Sequence, residues 1–102
     1  PAKSLTEYRR AKMKSHEGGY FIRLTVKDQA GVFASIATRM AENNISLESI
    51  VQHSRVPAEG GAQTIILVTH ATMEDAIRKA VKAIKGEKYL VSEPQVIRIE
   101  RT

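Results

Sequence analysis

The stretch YFIRLTVKDQAGVFASIATRMA (residues 20–41) decides how this chain folds, because its hydrophobic period changes once, at a four-residue joint. Up to Lys27 it alternates. Tyr20, Ile22, Leu24 and Val26 fall on one face, and Phe21, Arg23, Thr25 and Lys27 on the other, the period-2 signature of a half-buried strand. After Asp28-Gln29-Ala30-Gly31 the period becomes helical. Val32, Ile36 and Met40 recur at i, i+4 and i+8, with Phe33, Ala37 and Ala41 beside them, so one stripe faces a core. Asn43-Asn44 should end the helix, both residues being poor helix formers that tolerate the left-handed conformation.

Downstream, a second strand is expected from Ile45 to His53; Ile45, Leu47, Ser49 and Val51 share a parity that Ile50 breaks, which points to a bulge. Residues 55–61 hold Pro57 and Gly60-Gly61 and suit a hairpin loop. The third strand, Ala62 to His70, is apolar on both parities at Ile65, Ile66, Leu67 and Val68, as a central strand would be. Thr72 is expected to cap a second helix, with Asp75 in a capping-box position. Met73, Ala76, Ile77, Ala80, Val81 and Ile84 form that helix's apolar stripe. Glu74, Arg78, Lys79, Lys82 and Lys85 face water, and Gly86 takes the C′ place. The last strand region, Lys88 to Arg101, contains Pro94 and belongs at an edge. Upstream, residues 1–19 are polar and end in Gly18-Gly19; they read as a linker or arm with a short helical piece around Leu5–Lys12, leaving residues 20–102 as the domain. The order β-α-β-β-α-β predicts an α+β, ferredoxin-like sandwich: a four-stranded antiparallel sheet with two helices on one face.

The net charge of +5 invites a nucleic-acid reading, but its placement argues against one. Residues 1–19 carry five basic and two acidic side chains (+3), and the other 83 residues carry eleven basic and nine acidic (+2). The folded part is nearly balanced, whereas a nucleic-acid footprint clusters on the fold. A ferredoxin-like sheet that stacks bases also needs aromatics on its central strands, and the third strand has none. With no cysteine there is neither a disulfide framework nor a Cys-based metal site, in keeping with a reducing, cytoplasmic setting. No apolar run spans a bilayer and no signal peptide is visible, so no membrane partner is expected. The start at Pro1, without Met, suggests a piece of something longer.

Little in the chain resembles catalytic machinery. His16, His53 and His70 have no second ligand at metal spacing, so no metal site is expected. No serine sits in a nucleophile elbow, and no glycine-rich phosphate cradle is present. Catalytic residues are therefore expected to be absent. What remains is Asp28-Gln29-Ala30-Gly31, which joins a strand end to a helix N-terminus. The unpaired N–H groups there can hold a carboxylate, Gly31 lets a ligand approach the backbone, and Asp28 can accept from an ammonium group. A small zwitterion such as an amino acid meets both demands. The alternative is that Asp28 is only an N-cap and Gly31 only a turn residue.

Leu24 to Ala37, with Asp28-Gln29-Ala30-Gly31-Val32 at its centre, resembles the opening of an ACT domain: an apolar strand, D-x-P-G-V/A-L/F, then a helix. Asn44-Ile45-Ser46-Leu47-Glu48-Ser49 resembles that family's approach to the second strand. Together with Gln52, Ile65-Leu67-Val68-Thr69-His70, and the segments Tyr8-Arg9-Arg10-Ala11 and His16-Glu17-Gly18-Gly19-Tyr20, the likeness is to the C-terminal ACT domain of bacterial homoserine dehydrogenase. One departure is Ala30, where the family usually has Pro; that costs loop rigidity and no ligand contact. The resemblance implies a regulatory domain that senses threonine or a related amino acid for feedback control of threonine and methionine biosynthesis. Its effector site would comprise Asp28, Gln29, Ala30, Gly31 and Val32, with Asn44, Ile45 and Ser46 closing it from a neighbouring domain in a homodimer. The parent enzyme would interconvert aspartate semialdehyde and homoserine with NAD(P) bound in its catalytic part, and this fragment would need no cofactor and turn over nothing. A second reading makes the chain a structural dimerisation module without ligand.

Overall fold

The computed structural model describes residues 17–53 and 61–99. The expected helical piece around Leu5–Lys12 and most of the 55–61 loop lie outside them. The chain forms β1 (Glu17–Lys27), α1 (Val32–Glu42), β2 (Leu47–His53), β3 (Ala62–Thr69), β4 (Thr72–Met73), α2 (Glu74–Lys85) and β5 (Gln95–Ile99).

Pairing is antiparallel throughout. Phe21 to Lys27 of β1 pair with β3, and Gly19 to Arg23 pair with β5, so Phe21, Ile22 and Arg23 have neighbours on both edges. β2 flanks β3 on its far side. The spatial order β2-β3-β1-β5 is the ferredoxin-like one. Pro94 immediately precedes β5, which pairs with β1 alone among the described strands, as the expected edge position requires.

One face of this sheet makes the core. The even face of β1 (Tyr20, Ile22, Leu24, Val26) is buried with Ile65 and Leu67 of β3. Above them lie Val32, Ile36 and Met40 of α1 and Ile77, Ala80 and Ile84 of α2, so both helices cover the same face. Of the two stripes on α1, only Val32–Ile36–Met40 reaches the sheet; Phe33, Ala37 and Ala41 stay exposed. The other sheet face carries Phe21, Ile66 and Val68 half-buried, with Val51 and Ile97 exposed.

The expected bulge occurs between Leu47 and Ser49. It changes the parity, so Leu47 and Ile50 both turn to the core while Val51, which shares Leu47's parity, faces away. The helix end at Asn43-Asn44 is also as expected. Asn44 adopts φ 58°, with its N–H bonded to the Ala41 carbonyl (2.9 Å) and the Ile45 N–H to the Met40 carbonyl (3.1 Å), the paired bonds of a Schellman cap. Ile45 is spent on that cap and buried in the core, so β2 starts two residues later than the pattern indicates.

Two expectations need correction. Thr72 does not cap α2: it pairs with Gly18 as half of β4, the N-cap is Met73, and no side chain bonds to the cap. The sheet thereby gains a two-residue fifth strand beyond the four expected. β4 prolongs the line of β3 with a one-residue slip, and at the slip the buried Thr69 hydroxyl accepts the Tyr20 N–H (3.0 Å) while donating to the His70 carbonyl (2.8 Å). A backbone donor that would otherwise be buried unpaired is satisfied this way. Nor is Gly86 a left-handed C′ residue. It is the C-cap with φ −82°, which any residue can adopt.

Candidate functional site

The β1–α1 joint is held from three sides. The Asp28 N–H donates to the Gly61 carbonyl (2.7 Å), the Lys27 N–H to the Tyr89 carbonyl (2.8 Å) and the Gln29 N–H to the Lys27 carbonyl (3.0 Å). Asp28, Gln29, Ala30 and Gly31 are exposed, and Val32 is buried as the anchor of the helix. Gly31 is the N-cap of α1 in the left-handed region (φ 86°), and no side chain caps the helix. Asp28 is therefore not an N-cap, which removes one bland explanation for its presence. The first bond of the helix runs from the Ser35 N–H to the Gly31 carbonyl (2.9 Å), so Phe33 and Ala34 have no intrahelical acceptor. Those donors and the helix dipole favour a negatively charged group at this end of α1.

A Cβ on Gly31 would meet nothing within 4 Å. Gly31→Ala is therefore expected to destabilise through backbone strain alone, by about 1–2 kcal/mol. Urea unfolding measures this; a stability equal to that of the native chain would mean the joint relaxes out of the left-handed region.

The other half of the expected site sits elsewhere. Asn44 and Ser46 are exposed and Ile45 is buried. They lie past the C-terminus of α1, whose eleven residues place them about 16 Å from the joint at roughly 1.5 Å per residue. The Ser46 carbonyl is already taken by the His70 N–H (2.9 Å). One copy of the chain does not bring the two halves together. His53 and His70 stand at opposite ends of the β2–β3 hairpin, and no group of three His, Cys, Asp or Glu able to hold a metal occurs among the described residues.

Sequence reasoning missed Ser35 and Tyr89. Their hydroxyls share a hydrogen bond (2.8 Å) that ties the first turn of α1 to the segment after α2, beside the joint. Burial pushes the Tyr89 pKa above its ordinary value of 10.0; the Ser35 hydrogen bond and Arg39 pull it down, and Glu87 pushes it up. A raised pKa means the folded state favours the neutral phenol. Its contribution to stability is whole below pH 10.0 and is lost as the pH climbs through the folded-state pKa. Tyr89→Phe should cost about 0.5–1.5 kcal/mol near neutrality and lose less than the native chain on going to about pH 11. Urea midpoints at the two pH values check it; parallel losses in both proteins would show that the phenol is not held neutral.

Residues 20–86 match the ACT domain family. The chain belongs to this family. Among curated relatives of this ACT domain, homoserine dehydrogenase from Pseudomonas aeruginosa is 38% identical over 86 residues, covering 83% of this chain and 19% of that protein. The Helicobacter pylori homoserine dehydrogenase is 32% identical, covering 79% and 19%. In fold, the chain is similar to the crystal structure of a homoserine dehydrogenase from Thiobacillus denitrificans, with a TM-score of 0.72 and 30% identity over 86% of this chain and 19% of that one. The ACT domain thus spans about a fifth of the length of the relatives it matches.

Proposed function

We propose that this ACT domain is the amino-acid-sensing regulatory part of a homoserine dehydrogenase, with threonine as effector. The observation that carries this reading is the uncapped first turn of α1 behind left-handed Gly31, with Asp28 exposed three residues before it. The α-carboxylate would take the free N–H groups and the α-ammonium would face Asp28. The 30–38% identity to homoserine dehydrogenases supports the choice of parent. In that parent, a cytoplasmic enzyme, a catalytic part outside this chain would interconvert aspartate semialdehyde and homoserine with NAD(P). The residues present do not fit a dinucleotide. The β1–α1 joint carries one glycine, Gly31, where a pyrophosphate cradle needs three and follows a parallel strand.

The distance between Gly31 and Asn44–Ser46 leads to a composite site. If two copies pair about a two-fold axis with their α1 helices antiparallel, the joint of each meets the Asn44–Ser46 segment of the other. The exposed stripe Phe33–Ala37–Ala41 supports this pairing, because it links the two ends of α1 and its alanines permit close approach of the helices.

Isothermal titration with threonine, beside methionine, lysine and serine, tests the proposal once sedimentation has fixed the oligomeric state. Saturable binding of threonine to a dimer is the expected result. A stable dimer that binds none of the four would instead make the chain a structural pairing module.

A further inference from the structure

A groove of about 680 Å³ runs between α2 and the edge strand β5, well away from the β1–α1 joint. Tyr20, in its lining, stands eight residues from Asp28 along β1, about 25 Å at strand rise. The groove follows from how α2 sits. The helix turns Ile77, Ala80 and Ile84 down to the sheet, which leaves Val81, Arg78, Lys82 and Lys85 leaning over β5. From β5, Val96 points up on the same face as its partner Ile22. The floor is therefore apolar: Tyr20, Ile77, Val81 and Val96.

Its rim is not a balanced solvated surface. Lys79 is paired with Asp75 (3.4 Å) and Lys85 with Glu93 (2.7 Å). Arg78 and Lys82, one turn apart, form no ion pair among the described residues, and Glu74, at the start of α2, is the one acidic lining residue likewise without one, so the rim keeps a net positive charge. A second, independent feature is Tyr20. Its side chain is 96% buried (4% exposed), yet its hydroxyl has no hydrogen-bond partner among the described residues. A buried hydroxyl left so is costly. A net positive rim and an apolar floor of ligand-sized volume share one chemical complement.

We propose that this groove is a second ligand site, for a small organic anion with an apolar body: a carboxylate on an aliphatic chain. The chain covers Ile77, Val81 and Val96, and the carboxylate reaches Arg78, Lys82 and the Tyr20 side of the groove. A zwitterionic amino acid of threonine's size fits poorly, since its polar side chain would lie on the apolar floor. The site is separate from the proposed effector site, and neither depends on the other.

Octanoate is the probe and 1-octanol its uncharged control, each titrated into the whole chain with backbone amide resonances followed by NMR. Saturable octanoate shifts centred on Ile77, Val81, Val96 and Tyr20 are expected, at least tenfold tighter than for 1-octanol. The variant carrying Arg78→Gln and Lys82→Gln, both exposed positions, should unfold at the native temperature and bind octanoate at least tenfold more weakly. Equal affinity for the two probes, unchanged affinity in the variant, or shifts centred on the open sheet face around Phe21 and Ile97 would each overturn the proposal.

Discussion

Two variants that each lose threonine binding are expected to recover about a quarter of the native sites when mixed in equal amounts, because a two-fold pair shares its sites between copies. Asp28→Ala removes the ammonium partner. Asn44→Gly with Ser46→Ala removes the closing side chains while keeping the left-handed cap, since Gly accepts φ 58° at no cost. Each variant paired with itself has two defective sites. A mixed pair has one site with both lesions and one with neither. Random exchange makes about half of all dimers mixed, hence about a quarter of the capacity. The native dimer should also gain about 2.7 kcal/mol from threonine at ~100 times its dissociation constant, on the order of 10–20 °C in melting temperature for a domain of this size. Variants that bind nothing alone and nothing mixed would place the two halves in different sites and end the composite reading.

The second large effect separates the two faces of the sheet. Leu24 is fully buried between Ile65 and the helices, at the middle of the strand that everything else is built on. Leu24→Ala should cost about 2–5 kcal/mol, the lost transfer energy plus a cavity that the surrounding core closes only in part. Ile97 is 58% exposed on the opposite face, and Ile97→Thr should stay within roughly 0.5 kcal/mol of the native chain. Paired urea unfolding curves decide it. Similar costs at the two positions would mean the open face is covered in solution.

Where a local rule was enough, the sequence could be read directly. The even face of β1 is buried, Asn44 is left-handed and the parity break at Ile50 is a bulge, because each depends only on neighbours along the chain. On α1 both apolar stripes have helical spacing, and only the sheet decides that Val32–Ile36–Met40 wins. Thr72 reads as a cap because Glu74-Asp75 follows it; its true partner, Gly18, is 54 residues back. Ser35 and Tyr89 are also 54 residues apart, and no spacing rule connects two hydroxyls over that distance. Arg78 and Lys82 look like residues that simply face water, because helical periodicity does not show that β5 runs beneath their side of α2. The joint itself was legible, since a strand end, a glycine and a helix start are all local. Its distance from Asn44–Ser46 follows from the length of α1 once the helix is known.

The central strand also sets an order of events for the growing chain. β1 is synthesised first, but Phe21 finds its neighbours only at Val68 and Ile97, 47 and 76 residues later. Until Val68 emerges, the apolar even face of β1 has only α1 to cover it. Helices α1 and α2 can form while synthesis proceeds, yet the sheet cannot close until its final strand has left the ribosome. Folding is therefore governed by the slow search for non-local pairs, and an unfinished chain displays its stickiest strand throughout.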